Sequence, residues 1–308
     1  MPAFAAPDVL VLAGGGVMGE AWMTGVLAGI EDAAGIDLRR TETFVGTSAG
    51  SIVAARLAAG RSPRRPSEPA PAAAPSVHDA AEDGRLGAVR DGLRAAGALA
   101  WASTAPVASA AAAVGAAPGA LARSVALARM PRGRRTLDDL RARVDSWGAR
   151  FDGRLRVCAV DRRSGRRVVF GAPGAPAAAV AEAVVASCSI PWVFEPVEIG
   201  GREYVDGGVW SVTNLDAAPA GRDTQVLCLD TVSGLDPHSR GMTTLRRAFR
   251  AAAEIETQIL RRRGARVRRV GPDAEAAAAI GPDLMDPAPR DRVLAAGFRQ
   301  GRALVASA

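Results

Sequence analysis

The sequence predicts an α/β fold, a central mostly parallel β-sheet flanked by helices, with an Ala-rich helical insertion. Three observations predict it. Short unbroken apolar runs, DVLVLA at 8–13 and QVLCLD at 225–230, have the length and two-sided hydrophobicity of strands buried in a parallel sheet. Helical segments alternate with such strands along the chain instead of grouping apart from them. The first two strands each run into a glycine-rich turn that opens a helix, giving the order strand, helix, strand, turn, helix. The 308 residues suffice for one large core or two small ones, and the alternation favours a single domain over 1–308 with its core at about 8–230.

After the strand at 8–13, a helix is expected near 20–34. A brief strand at 43–45 follows, then a tight turn at 46–50 and a helix over 51–59 that stops at Gly60. Residues 61–76 are rich in Pro, Ala and Arg without apolar periodicity and read as a linker. The Ala-rich stretch 77–135 reads as a helical, cap-like insertion, with Leu86, Val89 and Leu93 at helical spacing. Its uncharged part, 95–122, has two prolines and no dense Leu/Ile/Phe run, so a membrane span is not expected. An amphipathic helix at 137–144 leads to a hairpin, 155–160 against 167–170, turned at Ser164-Gly165. A helix at 177–187 precedes strands at 193–199 and 204–205, which flank the Gly200-Gly201 turn. C-terminal helices fill 240–308, one at 243–263 and one at 290–304.

All 39 basic side chains are Arg, and the net charge of +7 favours anionic partners. With aromatic content at 4% and two His, neither an aromatic RNA-binding motif nor a zinc finger can be drawn, so peripheral contact with an anionic membrane is expected over nucleic acid. Three isolated cysteines read as reduced thiols of a cytoplasmic protein. The first residues lack a basic region and run directly into a strand, so a signal peptide is not expected.

Gly46-Thr47-Ser48-Ala49-Gly50 fits Gly-x-Ser-x-Gly, in which the glycines let a strand turn sharply into a helix and lift the serine hydroxyl out of the sheet. The helix start places the Ala49 amide beside any oxyanion forming there. Gly14-Gly15-Gly16-Val17-Met18-Gly19 also opens a helix and makes an anion cradle. These glycines satisfy Gly-x-Gly-x-x-Gly as well, yet the second strand carries a serine elbow where a dinucleotide site wants an acidic residue at its carboxyl end. Asp206-Gly207-Gly208 is a plain turn or the home of a base, because a serine hydroxyl needs a proton acceptor. His78 and His238 are the only imidazoles. His78 borders the linker, whereas Ser48, Asp206 and His238 keep the chain order of an α/β-hydrolase esterase, which leaves a His238 mechanism as an alternative beside a non-catalytic lipid- or dinucleotide-binding protein.

Four blocks in order resemble the patatin-like phospholipase family: AGGGVMG at 13–19, GTSAGS at 46–51, the hairpin at 155–170 with Asp161 and Gly165, and ASCSIPWVFEPVEIGGREYVDGGV at 186–209. The resemblance implies a patatin-type fold and hydrolysis of lipid or lysolipid carboxylic esters. It implies Ser48 as nucleophile, Asp206 as base, and the Gly15, Gly16 and Ala49 amides as oxyanion hole, with Gly14, Gly19, Gly46, Gly50, Gly207 and Gly208 supporting the turns. No cofactor and no metal are implied. One position departs: the family usually has Arg or Lys where this chain has Met18. In the insertion, Leu99, Trp101 and Val107 would meet lipid if it formed a lid, with ordinary helix packing as the alternative. Cys188 reads as a core thiol, and Arg246, Arg247 and Arg250 as a solvated helix face.

Overall fold

A computed structural model describes residues 4–66, 117–232 and 243–307. His78, His238, Leu86, Val89, Leu93, Leu99, Trp101 and Val107, with residues 77–116 of the insertion, lie outside the described residues, as do the side chains of Arg246 and Arg247. The elements run β1 (Val9–Leu12), α1 (Gly16–Ala34), β2 (Thr43–Thr47), α2 (Ala49–Ala58), α3 (Ala117–Arg129), α4 (Asp138–Asp145), β3 (Leu155–Asp161), β4 (Arg167–Phe170), α5 (Val180–Cys188), β5 (Val197–Ile199), β6 (Arg202–Asp206), β7 (Gln225–Leu229), α6 (Thr243–Arg262), β8 (Arg266–Val270), α7 (Ala274–Ile280) and α8 (Arg290–Ala306).

One mixed sheet has the order β5-β6-β3-β2-β1-β7-β8, with β4 also on β3. From β3 through β8 the neighbours are parallel, and β4, β5 and β6 are antiparallel additions. Alternation along each strand divides the core in two. Leu10, Leu12, Phe44, Leu155 and Val157 pack with α1, α2, α5 and α8 on one face, while Val9, Val11, Val45, Cys158 and Cys228 pack with Leu215 and Leu260 on the other.

Two helices start earlier than the residue types suggest. Residues Gly16–Gly19 already belong to α1, and Ala49 and Gly50 already belong to α2, so the expected five-residue turn contracts to Ser48 alone. Tertiary packing overrides the low helix propensity of glycine here. The sheet also extends beyond the 8–230 core: the C-terminal region holds β8 and α7 in addition to the helices at 243–262 and 290–306. The sequence RVRRV of β8 reads as a charge run, but as an edge strand it keeps Arg266 and Arg268 exposed and buries Val270.

The pairing of α8 with α1 depends on glycines from both helices. A Cβ on Gly25 would stand 2.2 Å from the Leu294 carbonyl oxygen and one on Gly29 2.1 Å from that of Phe298; on α8, Gly297 and Gly301 meet the Trp22 and Val26 carbonyls at 2.5 and 2.2 Å. The seam is pinned by Trp22 Nε1 donating to Gln300 Oε1 at 2.8 Å, a buried bond between residues 278 apart. Gly29→Ala should force the helices apart and lower stability by about 1–3 kcal/mol, as overpacking does. Thermal or urea unfolding of the variant against wild type measures this, and an unchanged midpoint would contradict the seam.

Candidate active site

Ser48 sits between β2 and α2 at φ 50°, ψ −125°, a left-handed conformation that a β-carbon makes unfavourable. The surrounding glycines show what holds it. A Cβ on Gly46 would lie 2.4 Å from Ser51 Cα, and one on Gly50 1.9 Å from the Leu12 carbonyl oxygen, so α2 can descend onto β1 and β2 only with glycine at both places. The Ser48 amide donates to Ser187 Oγ at 2.9 Å, Ser187 Oγ donates to the Cys158 carbonyl at 2.6 Å, and Ser51 Oγ donates back to the Ser48 carbonyl at 2.6 Å.

Asp206 reaches the same place from the opposite direction. Val157 and Cys158 pair with both β2 and β4, so β2 and β4 occupy opposite edges of β3. Ala159 and Val160 pair with both β4 and β6, which puts β6 on the edge that β2 occupies. Along that edge β2 runs up to Thr47 opposite Cys158, and β6 runs down to Asp206 opposite Ala159. The two strand ends meet head to head at adjacent register positions, and both chains must turn away there. Gly207 makes the second turn feasible, since a Cβ would stand 2.2 Å from the Cys158 carbonyl oxygen.

The Gly208 amide donates to Asp206 Oδ1 at 2.7 Å, and the Ser48 side chain lies close enough to the Asp206 carboxyl to favour its charged form. Asp206 is 2% exposed. Burial pushes its pKa up to about 7, and the Gly208 amide and the Ser48 side chain offset only part of that rise. The carboxyl therefore titrates near neutrality.

The glycine loop completes the site. The Gly15, Gly16 and Ala49 amides have no acceptor among the described residues. Gly14 donates to the Val212 carbonyl at 2.9 Å and leaves contact room for Ser48 Cβ, while side chains on Gly15 or Gly19 would run into Thr231. Met18, where a cation was expected from the resemblance, is fully buried in the core, and its amide donates to the Leu284 carbonyl at 3.0 Å. Cys188 is a buried thiol, its pKa raised by burial and by Asp206. Arg250 is exposed on α6. The loop and Ser48 open into a cleft of about 560 Å³, its mouth included, walled by Val17, Ile52, Leu137, Leu140, Phe194 and Met285.

Two supporting residues escape the sequence reading, Ser187 and Asn214. Asn214 Nδ2 donates to Thr47 Oγ1 at 3.0 Å and to the Gly207 carbonyl at 3.3 Å, tying the residue before Ser48 to the residue after Asp206. Its Oδ1 accepts from Arg167 at 3.1 Å, and Arg167 forms a bidentate pair with Asp216. Asn214 itself adopts the left-handed conformation, φ 48°. An Asn eight residues past Asp206 is the single sequence signal for it, and that signal alone does not separate a bridge from a turn.

A helix-covered mixed sheet carrying a serine at a strained strand–helix elbow, with a buried carboxyl beside it, has the layout of an α/β hydrolase. The chain belongs to the patatin-like phospholipase family, whose model, described as "Patatin-like phospholipase", matches residues 10–219. Members of that family are lipid acyl hydrolases, the class of enzyme to which this chain belongs. A search of the curated proteins finds no match. Among solved structures the chain is similar to VipD from Legionella pneumophila, 16% identical with a TM-score of 0.43, the likeness covering 99% of this chain and 68% of that one.

The raised pKa of Asp206 has a thermodynamic consequence. Unfolded, the carboxyl loses its proton near 3.8, whereas folded it keeps it to about 7, so its contribution to stability falls as pH rises between those values. Asp206→Asn should remove that slope, about 1.4 kcal/mol per pH unit within the window. Urea unfolding of both proteins from pH 4 to pH 8 reads it, and parallel stability curves would contradict the burial argument.

Proposed function

We propose that the chain hydrolyses carboxylic esters of lipids through an acyl-enzyme, with Ser48 as nucleophile and Asp206 as the single acid–base group. The observation that carries this reading is a buried carboxyl beside the elbow serine, its pKa raised by burial to about 7 and held there by the Gly208 amide and the Ser48 side chain. A base with pKa near the working pH both accepts and returns a proton efficiently.

Ser48 Oγ attacks the ester carbonyl as its proton passes to Asp206. The oxyanion that forms is met by the Gly15, Gly16 and Ala49 amides, helped by the N-terminal ends of α1 and α2. Collapse of this intermediate breaks the bond to the alcohol oxygen, which departs with the proton from Asp206. Water then attacks the Ser48 ester, gives its proton to Asp206, and the second collapse returns that proton to Ser48 as the carboxylic acid leaves. The apolar cleft wall supports an acyl chain as the group held. Approach to an anionic bilayer is favoured by the net charge of +7, and among the described residues no helix is long and apolar enough to cross a membrane.

Ser48→Ala and Asp206→Asn should each lower kcat on p-nitrophenyl esters by at least about a thousandfold. A fluorophosphonate should label Ser48 in the wild type and fail to label the Asp206→Asn variant. Turnover and labelling that survive in Asp206→Asn would remove Asp206 from the mechanism, and their absence in the wild type would end the hydrolase reading.

The base form of Asp206 is needed for attack, so kcat/KM should rise with pH through about 7 and then level. A profile flat from pH 5 to pH 9 would exclude a base with this environment.

A further inference from the structure

One turn along α1 from Gly16, about 6 Å along the helix axis, the cleft wall changes from apolar to charged. Glu20 and Arg143 line it there. Arg290, at the start of α8, donates from Nη2 to Glu20 Oε1 at 3.2 Å, and Arg143 Nη1 stands 3.7 Å from the same oxygen. Arg64 lies close enough to join Arg143 in lowering the Arg290 pKa, after burial as the main cause, and pairs with Asp291 at 3.4 Å. Three guanidinium groups thus gather with two carboxylates, of which Arg143 and Glu20 line the cleft and Asp291 is 72% exposed.

Arg143 is the unusual member. Its contact with Glu20 is too long for a hydrogen bond, its Nε, like that of Arg290, is buried without an acceptor, and, unlike Arg290, its guanidinium donates to nothing among the described residues. The Trp147 ring lies 6.0 Å from its guanidinium carbon. A purely structural staple between α1, α4 and α8 would draw Arg143 onto Glu20, as Arg290 is drawn. Here Nε is buried without an acceptor, where buried donors ordinarily have one, and the Nη groups make no hydrogen bond among the described residues at the wall of a substrate cleft.

The geometry points to Arg143 as an anion-binding residue of the cleft, flanked by Arg290, which takes the phosphate of a glycerophosphate ester whose acyl carbonyl sits at Ser48. In such a substrate the phosphorus is separated from the carbonyl carbon by five bonds for a 2-acyl ester and six for a 1-acyl ester, an extended span of roughly 6–8 Å at ordinary bond lengths, on the order of one turn of α1. Glu20 sets the position of the cations and leaves Arg143 with donors to offer. Planar, forked donors suit a phosphate better than a point charge does. Arg64 and Arg290 add positive charge behind Glu20 and Arg143, outside the serine, glycine-loop and aspartate motifs. The assignment rests on the ester-hydrolase reading for the position of the carbonyl and on the charged wall for the phosphate.

The test has a kinetic arm and a binding arm. In the kinetic arm, kcat/KM is measured for lysophosphatidate and for the monoacylglycerol of the same acyl chain, with wild type, Arg143→Gln and Arg143→Lys. Arg143→Gln should lower the phosphate-to-neutral ratio by about tenfold or more, chiefly through KM, and Arg143→Lys should restore part of it. An unaltered ratio overturns the proposal, including one in which both substrates decline together as a merely structural residue would produce. In the binding arm, Ser48→Ala and Ser48→Ala/Arg143→Gln are titrated calorimetrically with glycerol 3-phosphate and with inorganic phosphate. Binding of glycerol 3-phosphate that weakens about tenfold or more without Arg143 supports the subsite. Equal binding by both proteins, or none by the parent, overturns it. Inorganic phosphate bound as tightly as glycerol 3-phosphate would assign the wall to free phosphate and overturn the substrate claim. If Arg143→Gln does not fold, Arg143→Lys carries both arms, with a several-fold loss expected and no loss overturning the proposal. A wild type that cleaves neither ester yet binds glycerol 3-phosphate through Arg143 would sink the hydrolase reading and leave the anion site standing.

Discussion

One edge of one strand organises the whole site. β3 accepts β2 along its first half and β6 along its second, on the same edge and from opposite directions, so two strand ends are brought face to face. Strand spacing leaves no freedom in this arrangement: Thr47 and Asp206 occupy successive positions on β3, and the next residue of each chain must leave the sheet. Ser48 leaves into α2 through a left-handed turn, and Gly207 leaves over the Cys158 carbonyl. Ser187, bridging the Ser48 amide and the Cys158 carbonyl, fastens the first departure to β3 itself. A register slip of one residue would turn every β3 side chain to the other face and carry Asp206 away from Ser48.

The same arrangement creates the chemistry by burying a carboxyl that water cannot solvate. Left to burial alone, Asp206 would be held protonated further still; the Gly208 amide and Ser48 hydroxyl bring it back toward neutrality. The environment and the strained serine are both unfavourable to folding and are maintained by packing elsewhere, on the two-sided sheet core and on the Asn214 bridge. Asn214 is in turn held by Arg167 on β4, while Glu256 on α6 accepts from Thr213 Oγ1 at 2.5 Å and from the Leu215 amide at 2.8 Å on either side of it. The loop after Asp206 is therefore anchored to both β4 and α6.

What could be read in the sequence is what local backbone geometry imposes. The elbow, the glycine loop and Asp206-Gly207-Gly208 leave a mark because glycine is required where backbones touch, and the β3–β4 hairpin leaves one at Gly165, φ 64°. Contacts between distant segments leave no such mark. Glu20, Arg143 and Arg290 are ordinary charged residues on three different helices, and nothing in their spacing announces a common site. The α1–α8 seam carries Gly25, Gly29, Gly297 and Gly301 at helical spacing, yet in a chain of 34 glycines four more are indistinguishable from composition. For β8 the obstacle was its arginines: an edge strand needs only one buried position in five, too little apolar signal to outweigh them.

The family match ends at residue 219, but the site does not. α1 opens at the glycine loop, and its first turn offers amides that an intrahelical bond cannot satisfy. The Leu284 carbonyl takes the Met18 amide and Gly15 accepts from Gly19, so the Gly15 and Gly16 amides remain for the cleft. Met285 sulfur stands where a side chain on Gly16 would go, closing that wall. The loop bearing Leu284 and Met285 runs directly into α8, and α8 lies on α1 at a separation that only glycines allow. A shift of α8 along that seam would therefore move the Leu284 carbonyl, the Met285 wall and the Arg290 guanidinium together relative to the glycine loop. The direction of the loop amides and the shape of the cleft are consequently properties of the C-terminal helix as much as of the motifs that name the family.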